Sequence, residues 1–215
     1  MSFQIPKYME AIQPPADLLV KVSGGSYSHT DAMVIEVVFP ASRKPPLTKD
    51  PEQSSDRACM NMEIDHIGLN AHGCFAEYLR CHSRFTAQLP DELSFISAAP
   101  LACAGRTAWI FLLKAGLTTS QWGAGVALDA RYGKETVVKD LHTKTNFNGV
   151  DATICLSLHP HASGMACVVT KMHNAIVQIG QPDIVEIPYR EPIFRDIRII
   201  GSCISGFEET QSITK

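Results

Sequence analysis

Four consecutive residues, Ser28-His29-Thr30-Asp31, set a hydroxyl, an imidazole, a second hydroxyl and a carboxylate side by side. Proton relays are built from such groups. Ser, Thr and Asp are also the usual helix-capping residues, so the tetrapeptide equally suits a polar turn or a cap. Cys103 lies in Pro100-Leu101-Ala102-Cys103-Ala104-Gly105, where small neighbours let a backbone or a metal approach. Its thiolate is a soft ligand suited to zinc; otherwise it is a thiol packed in a helix. Asp129 ends a short apolar stretch, Val126-Ala127-Leu128. Beyond the carboxyl end of a strand in an open α/β sheet, an acid there accepts hydrogen bonds from an adenosine ribose, and the alternative is again a helix cap.

Gly123-Ala124-Gly125 is the sole GxG in the chain, and three residues after Gly125 stands Leu128 where a phosphate loop requires glycine or alanine. It reads as a turn or a remnant. Cys59, His66, His72, Cys74, Cys81 and His82 are metal-ligand types at spacings that fit no zinc pattern, so scattered thiols and surface histidines are the simpler reading.

The elements expected to carry these groups fall into two styles. Leu18–Val22 alternates as a half-buried strand and ends at Gly24 and Gly25, and Met33–Phe39 and Cys74–Arg80 read as further strands. Pro40–Arg57, with four prolines and few large apolar residues, reads as a surface loop. Helical spacing predicts a helix over Ala102–Ala115, after Pro100 and before Gly116. From Gly125 onward, short strands at Val126–Leu128, Asp151–Leu156, Ala175–Ile179 and Asp196–Ser202 alternate with helical segments at Lys134–Leu141 and Pro160–Met172. That alternation implies crossovers and a parallel sheet, so the fold class is α/β.

Composition narrows the function classes. The chain has 215 residues, 45% hydrophobic and 19% charged, with 19 basic against 22 acidic side chains, a formal net charge of −3. No basic surplus or run is available to neutralise a phosphate backbone, which argues against nucleic acid as a partner. The most hydrophobic run, Ala108–Leu113, stops at Lys114, far short of the ~18 apolar residues of a membrane span. Met1–Glu10 is too polar and proline-broken for a signal peptide, so the expected location is cytoplasmic. Seven widely spread cysteines with no CxxC pair do not form a disulfide framework.

Taken in order, Leu18–Val22, Ser28–Asp31, Gly73-Cys-Phe-Ala-Glu-Tyr78, Ala98–Gly105, Ala115-Gly-Leu117 with Gln121-Trp122, Val126–Arg131, Gly149-Val-Asp-Ala152, Thr170-Lys-Met172 and Ile193–Ile197 resemble a zinc-type alcohol dehydrogenase of the medium-chain dehydrogenase/reductase family, of a fungal subgroup. The resemblance implies a GroES-like β-rich catalytic domain over residues 1–116 and a Rossmann-type cofactor domain over 117–215, each incomplete. It implies hydride transfer between an alcohol or carbonyl and NAD(P), with a zinc ion acting as Lewis acid on the substrate oxygen. Thr30 matches the hydroxyl that begins the proton relay, His29 the residue beside the cofactor phosphates, and Cys103 one ligand of the catalytic zinc. Asp129 matches the ribose acid and, as an acid, favours NAD over NADP by repelling a 2′-phosphate. Cys59 resembles the last of four structural-zinc cysteines.

The departures concern the metal and phosphate sites. Ser28 stands where the family has its first zinc cysteine, and the chain passes from Thr48 to the region of Cys59 without the Gly-His-Glu segment that carries the second ligand. Three of the four structural cysteines are missing from the same gap. A second gap, between Trp122 and Val126, removes the first Rossmann strand and the glycine loop, and the chain ends about where the family returns to complete its catalytic domain. Both gaps keep the family's phase, as wrongly removed exons would. The expectation is therefore an oxidoreductase-like chain, impaired in activity, in fungal secondary metabolism; its partners are a small alcohol or carbonyl and a second copy or a full-length homologue. Alternatives are a zinc-independent reductase of the same superfamily and a non-catalytic binding or regulatory protein.

Overall fold

The computed structural model describes residues 17–36, 67, 73–82, 86–118, 123–205, 209 and 213. Cys59, His66 and His72 lie outside the described residues, as do Thr48, Gln121 and Trp122. The chain forms two compact units: Met1–Thr107 with Ile204–Lys215, and Ala108–Cys203.

In the first unit β1 (Asp17–Lys21) pairs antiparallel with β2 (Tyr78–His82), Leu19 opposite Arg80. The expected strand over Cys74–Arg80 starts late, because pairing needs a partner and β1 offers only five residues; one further backbone bond, Val22 N–H to the Glu77 carbonyl at 2.9 Å, extends the ladder. A larger correction concerns the described part of Met33–Phe39, residues 33–36; Val37–Phe39 lie outside the described residues. Its β-branched residues suggest a strand, yet His29–Ile35 is helix α1. The Ser28 N–H donates to the Asp31 carboxylate at 2.6 Å, and the Asp31 N–H donates to the Ser28 carbonyl at 3.1 Å. An acid three residues into a helix reaching back to the cap N–H starts that helix, and this local bonding overrides the strand propensity that follows.

Helix α2 (Phe95–Ala98) is capped by Ser94, whose Oγ accepts from the Ser97 N–H at 3.1 Å. A 3-10 turn, Ala99–Ala102, takes Pro100 at its start, where the missing N–H costs nothing. Cys103 breaks the helical geometry with φ −127° and ψ −75°, after which α3 runs over Ala104–Lys114. Gly116, at φ +74°, closes α3: its N–H bonds the Leu113 carbonyl and the Leu117 N–H bonds the Leu112 carbonyl, both at 3.0 Å. That pair is the Schellman pattern, which suits a residue without a Cβ.

The second unit holds a three-stranded parallel sheet in the order β3 (Val150–Cys155), β4 (Thr170–Gln178), β5 (Arg198–Gly201). Parallel neighbours need crossovers, supplied by α5 (Ala162–Val169) and α6 (Arg190–Phe194), while α4 (Lys134–Lys144) precedes the sheet. Ser163, Ala166, Cys167 and Thr170 repeat at helical spacing, and all four are buried. Cys155, Ala166, Cys167, Ile176 and Ile197 form the core between α5 and the sheet. The α5 helix is shorter than the expected Pro160–Met172, because Thr170–Met172 already belong to β4.

Val126–Leu128 is not a strand, contrary to expectation. Among the described residues no strand lies beside this stretch to pair with it, β3 is paired on one edge only, to β4, and Val126 is exposed.

Candidate functional site

In the first unit several motif segments converge. Ser26 Oγ donates to the Ala99 carbonyl at 3.2 Å, tying the approach to α1 to the turn that leads to Cys103. A Cβ on Gly24 would lie 2.9 Å from the Phe95 carbonyl oxygen, and one on Gly25 would lie 3.0 Å from the Cys74 sulfur. The paired glycines therefore allow a backbone approach that a side chain would obstruct. Ser28 and Asp31 are occupied as the cap of α1; His29, exposed, and Thr30, half-buried, occupy its first turn.

Cys103 is partly exposed and reduced. Its carbonyl accepts from the Thr107 N–H at 3.1 Å and the Thr107 hydroxyl at 3.3 Å. Nearby Arg106 donates through Nε to Ser205 Oγ at 3.2 Å and through Nη2 to the Ser205 carbonyl, anchoring the returning segment that begins at Ile204. Burial pulls the Arg106 guanidinium below the ordinary arginine value, and the neighbouring Cys103 and Glu209 act in the opposite direction. Arg106 gave no sequence signal, because its partner lies 99 residues away.

A catalytic zinc requires three protein ligands converging on one point. Among the described residues no three His, Cys, Asp or Glu side chains gather in that way. Ser28, beside His29, offers only a neutral hydroxyl, a poor zinc ligand. The described residues do not fit the metal.

In the second unit Asp129 begins a 3-10 turn, Ala130–Tyr132. Its Oδ1 accepts from the Arg131 N–H at 2.9 Å and from Arg131 Nε at 3.0 Å, while Oδ2 accepts from Nε at 2.8 Å and Nη2 at 2.6 Å. The carboxyl is held below its usual range, first by the side-chain bonds and then by the backbone bond, and Arg131 is raised in turn. Asp129 thus caps a turn and pairs with a cation. The spacing Asp-x-Arg at a helix start was the available signal for Arg131.

Gly123 has φ +110°, and among the described residues nothing lies within 4 Å of a Cβ placed on Gly123 or Gly125, so none of them approaches these glycines.

No family model matches the chain. An alcohol dehydrogenase of Geobacillus stearothermophilus is 26% identical over 183 residues, covering 68% of this chain and 54% of its own length. The chain therefore spans about half the length of the curated relatives it matches. Among solved structures, the D-arabinose dehydrogenase of Sulfolobus solfataricus superposes with a TM-score of 0.74 at 15% identity, covering 92% of this chain and 85% of the other. A zinc-binding dehydrogenase of Sinorhizobium meliloti 1021, solved with NADP, gives 0.73 at 19% identity, covering 94% and 82%. The fold is that of the alcohol dehydrogenases, an α/β fold whose parallel sheet is a partial Rossmann type. In sequence, the chain is similar to alcohol dehydrogenases.

Proposed function

We propose that this chain is a medium-chain dehydrogenase/reductase of the zinc-type alcohol dehydrogenase group, derived from a fungal branch serving secondary metabolism. Its reaction class is hydride transfer between a small alcohol or carbonyl and NAD(P), in the cytoplasm, and its catalysis is impaired. The observation that carries the class is the shared fold together with alcohol dehydrogenase similarity over 68% of the chain. The observation that carries the impairment is the absence, among the described residues, of a three-ligand metal group. No step is routed through zinc. The chain's own contribution is confined to a ribose-end carboxylate at Asp129 and an exposed His29 and half-buried Thr30 at a helix start.

Ser28, in place of a ligand cysteine, favours a second reading, a reductase that works without metal by positioning a carbonyl or activated double bond against the reduced nicotinamide. Nicotinamide absorbance separates the two. Purified, chelator-treated protein is given a panel of alcohols with NAD and NADP, then aldehydes and enones with NADH and NADPH. The impaired-dehydrogenase reading predicts no turnover above buffer in any arm. Enone or aldehyde reduction in metal-free protein establishes the second reading, and alcohol oxidation restored by added zinc contradicts the impairment.

A further inference from the structure

Asn148 precedes Gly149 in the turn that joins α4 to β3. An asparagine in that position exposes its side-chain amide to attack by the next backbone nitrogen, because glycine has no Cβ to shield the nitrogen. The turn presents the pair to solvent. Asn146 and Phe147 have φ +49° and φ +60°, Asn148 is exposed, and among the described residues its carboxamide makes no hydrogen bond. The glycine side is held. The Gly149 N–H donates to Thr145 Oγ1 at 3.2 Å, and the Thr145 hydroxyl donates in turn to the Leu141 carbonyl at 2.8 Å. A hydrogen bond donated by an N–H favours the protonated nitrogen, so this clasp opposes the deprotonation that attack requires. Gly149 is also fixed in identity: its φ is +84°, and a Cβ there would lie 2.8 Å from both the Val169 carbonyl oxygen and the Lys171 nitrogen.

We propose that Asn148 is a site of spontaneous deamidation and that the Thr145 hydroxyl sets its rate. When the clasp opens, the Gly149 nitrogen gives its proton to hydroxide and bonds to Asn148 Cγ. The Cγ–Nδ2 bond breaks, and the amide nitrogen leaves as ammonia, taking a proton from water. Water then opens the succinimide ring at Cγ to give aspartate, or at the main-chain carbonyl carbon to give isoaspartate with a longer backbone. The lengthened backbone falls just before Val150, which pairs with Thr170, so the isoaspartyl form is expected to lose that entry to β3. Hydroxide and water are the only co-reactants, and hydride transfer plays no part.

Peptide mapping by mass spectrometry reads the conversion. Wild type, Thr145→Ala and Thr145→Ser are incubated in mildly alkaline buffer, and the amide-to-acid mass gain at Asn148 is followed with time. Wild type is expected to convert slowly, and Thr145→Ala about fivefold faster, the factor that one ordinary hydrogen bond is worth. Thr145→Ser keeps the hydroxyl and is expected to match wild type. Asn146, which precedes the bulky Phe147, is the internal reference and is expected to stay unchanged. Wild-type Asn148 left intact while the urea-unfolded chain converts in the same buffer overturns the site. Equal rates in wild type and Thr145→Ala, a Thr145→Ser variant as fast as Thr145→Ala, or an acceleration shared by Asn146 overturns the role of Thr145.

Discussion

Cys167 is fully buried against the parallel sheet, and burial pushes its thiol up to about 11, with Glu191 adding to the rise and Arg195 opposing it. The ordinary cysteine value is about 8.5. A thiol whose folded value is raised contributes stability that is fully present below the unfolded value and lost as pH rises through the folded one. Native stability is therefore expected to fall between about pH 9 and 11, and to fall less in Cys167→Ala when thermal unfolding is followed across that range. An equal fall in the two proteins contradicts the assignment. The same scale shows what single residues disclosed. Ser28, Asp31 and Asp129 carried two readings each, and in the structure each makes a local hydrogen bond to a residue two or three positions away. What no residue type disclosed was that Arg131 would take up the Asp129 carboxylate, since two residues of spacing allow that pairing without requiring it.

At the scale of elements, local bonding and strand partners decided where the sequence pattern was followed. The helices Lys134–Lys144 and Ala104–Lys114 and the strands of the parallel sheet were legible from periodicity and from glycine and proline punctuation. Met33–Ile35 misled because a cap at Ser28 started a helix that runs into apolar, β-branched residues. Val126–Leu128 misled because a strand is a property of a pair, and among the described residues none pairs with it. Another element-level feature was invisible beforehand. Arg195 donates to the carbonyls of Cys167, Val168 and Thr170 at the end of α5, and to Glu191 one turn before it. The carbonyls at a helix end have no partner within the helix, so a largely buried arginine that serves three of them holds α5 and α6 together. Arg195→Ala is expected to lower stability by about 1–3 kcal/mol, because it leaves the half-buried Glu191 without its cation and removes one donor from each of these carbonyls. Denaturant unfolding measures this, and a loss below about 0.5 kcal/mol, the level of an ordinary surface change, contradicts it. Gly180 lies just beyond the opposite end of β4. A Cβ there would lie 2.2 Å from the Ser157 carbonyl oxygen, so the segments leaving β3 and β4 approach closely through that glycine.

For the whole molecule, the class of fold was legible in the order of short motifs, and the structure shares that fold with alcohol dehydrogenases at TM-scores above 0.7. Identity of 26% or less preserves a backbone more readily than a set of ligands, because a fold rests on many interchangeable apolar contacts and a metal site rests on three particular side chains. The parallel sheet around α5, with its core of Cys155, Ala166, Cys167, Ile176 and Ile197, rests on contacts of that interchangeable kind. The central proposal is that the described residues around Cys103 do not build a catalytic zinc site. Zinc titration of the metal-free protein, wild type beside Cys103→Ser, tests it most directly. The expected result is no stoichiometric tight binding and identical isotherms for the two proteins. One tightly held zinc per chain that disappears in Cys103→Ser would contradict it.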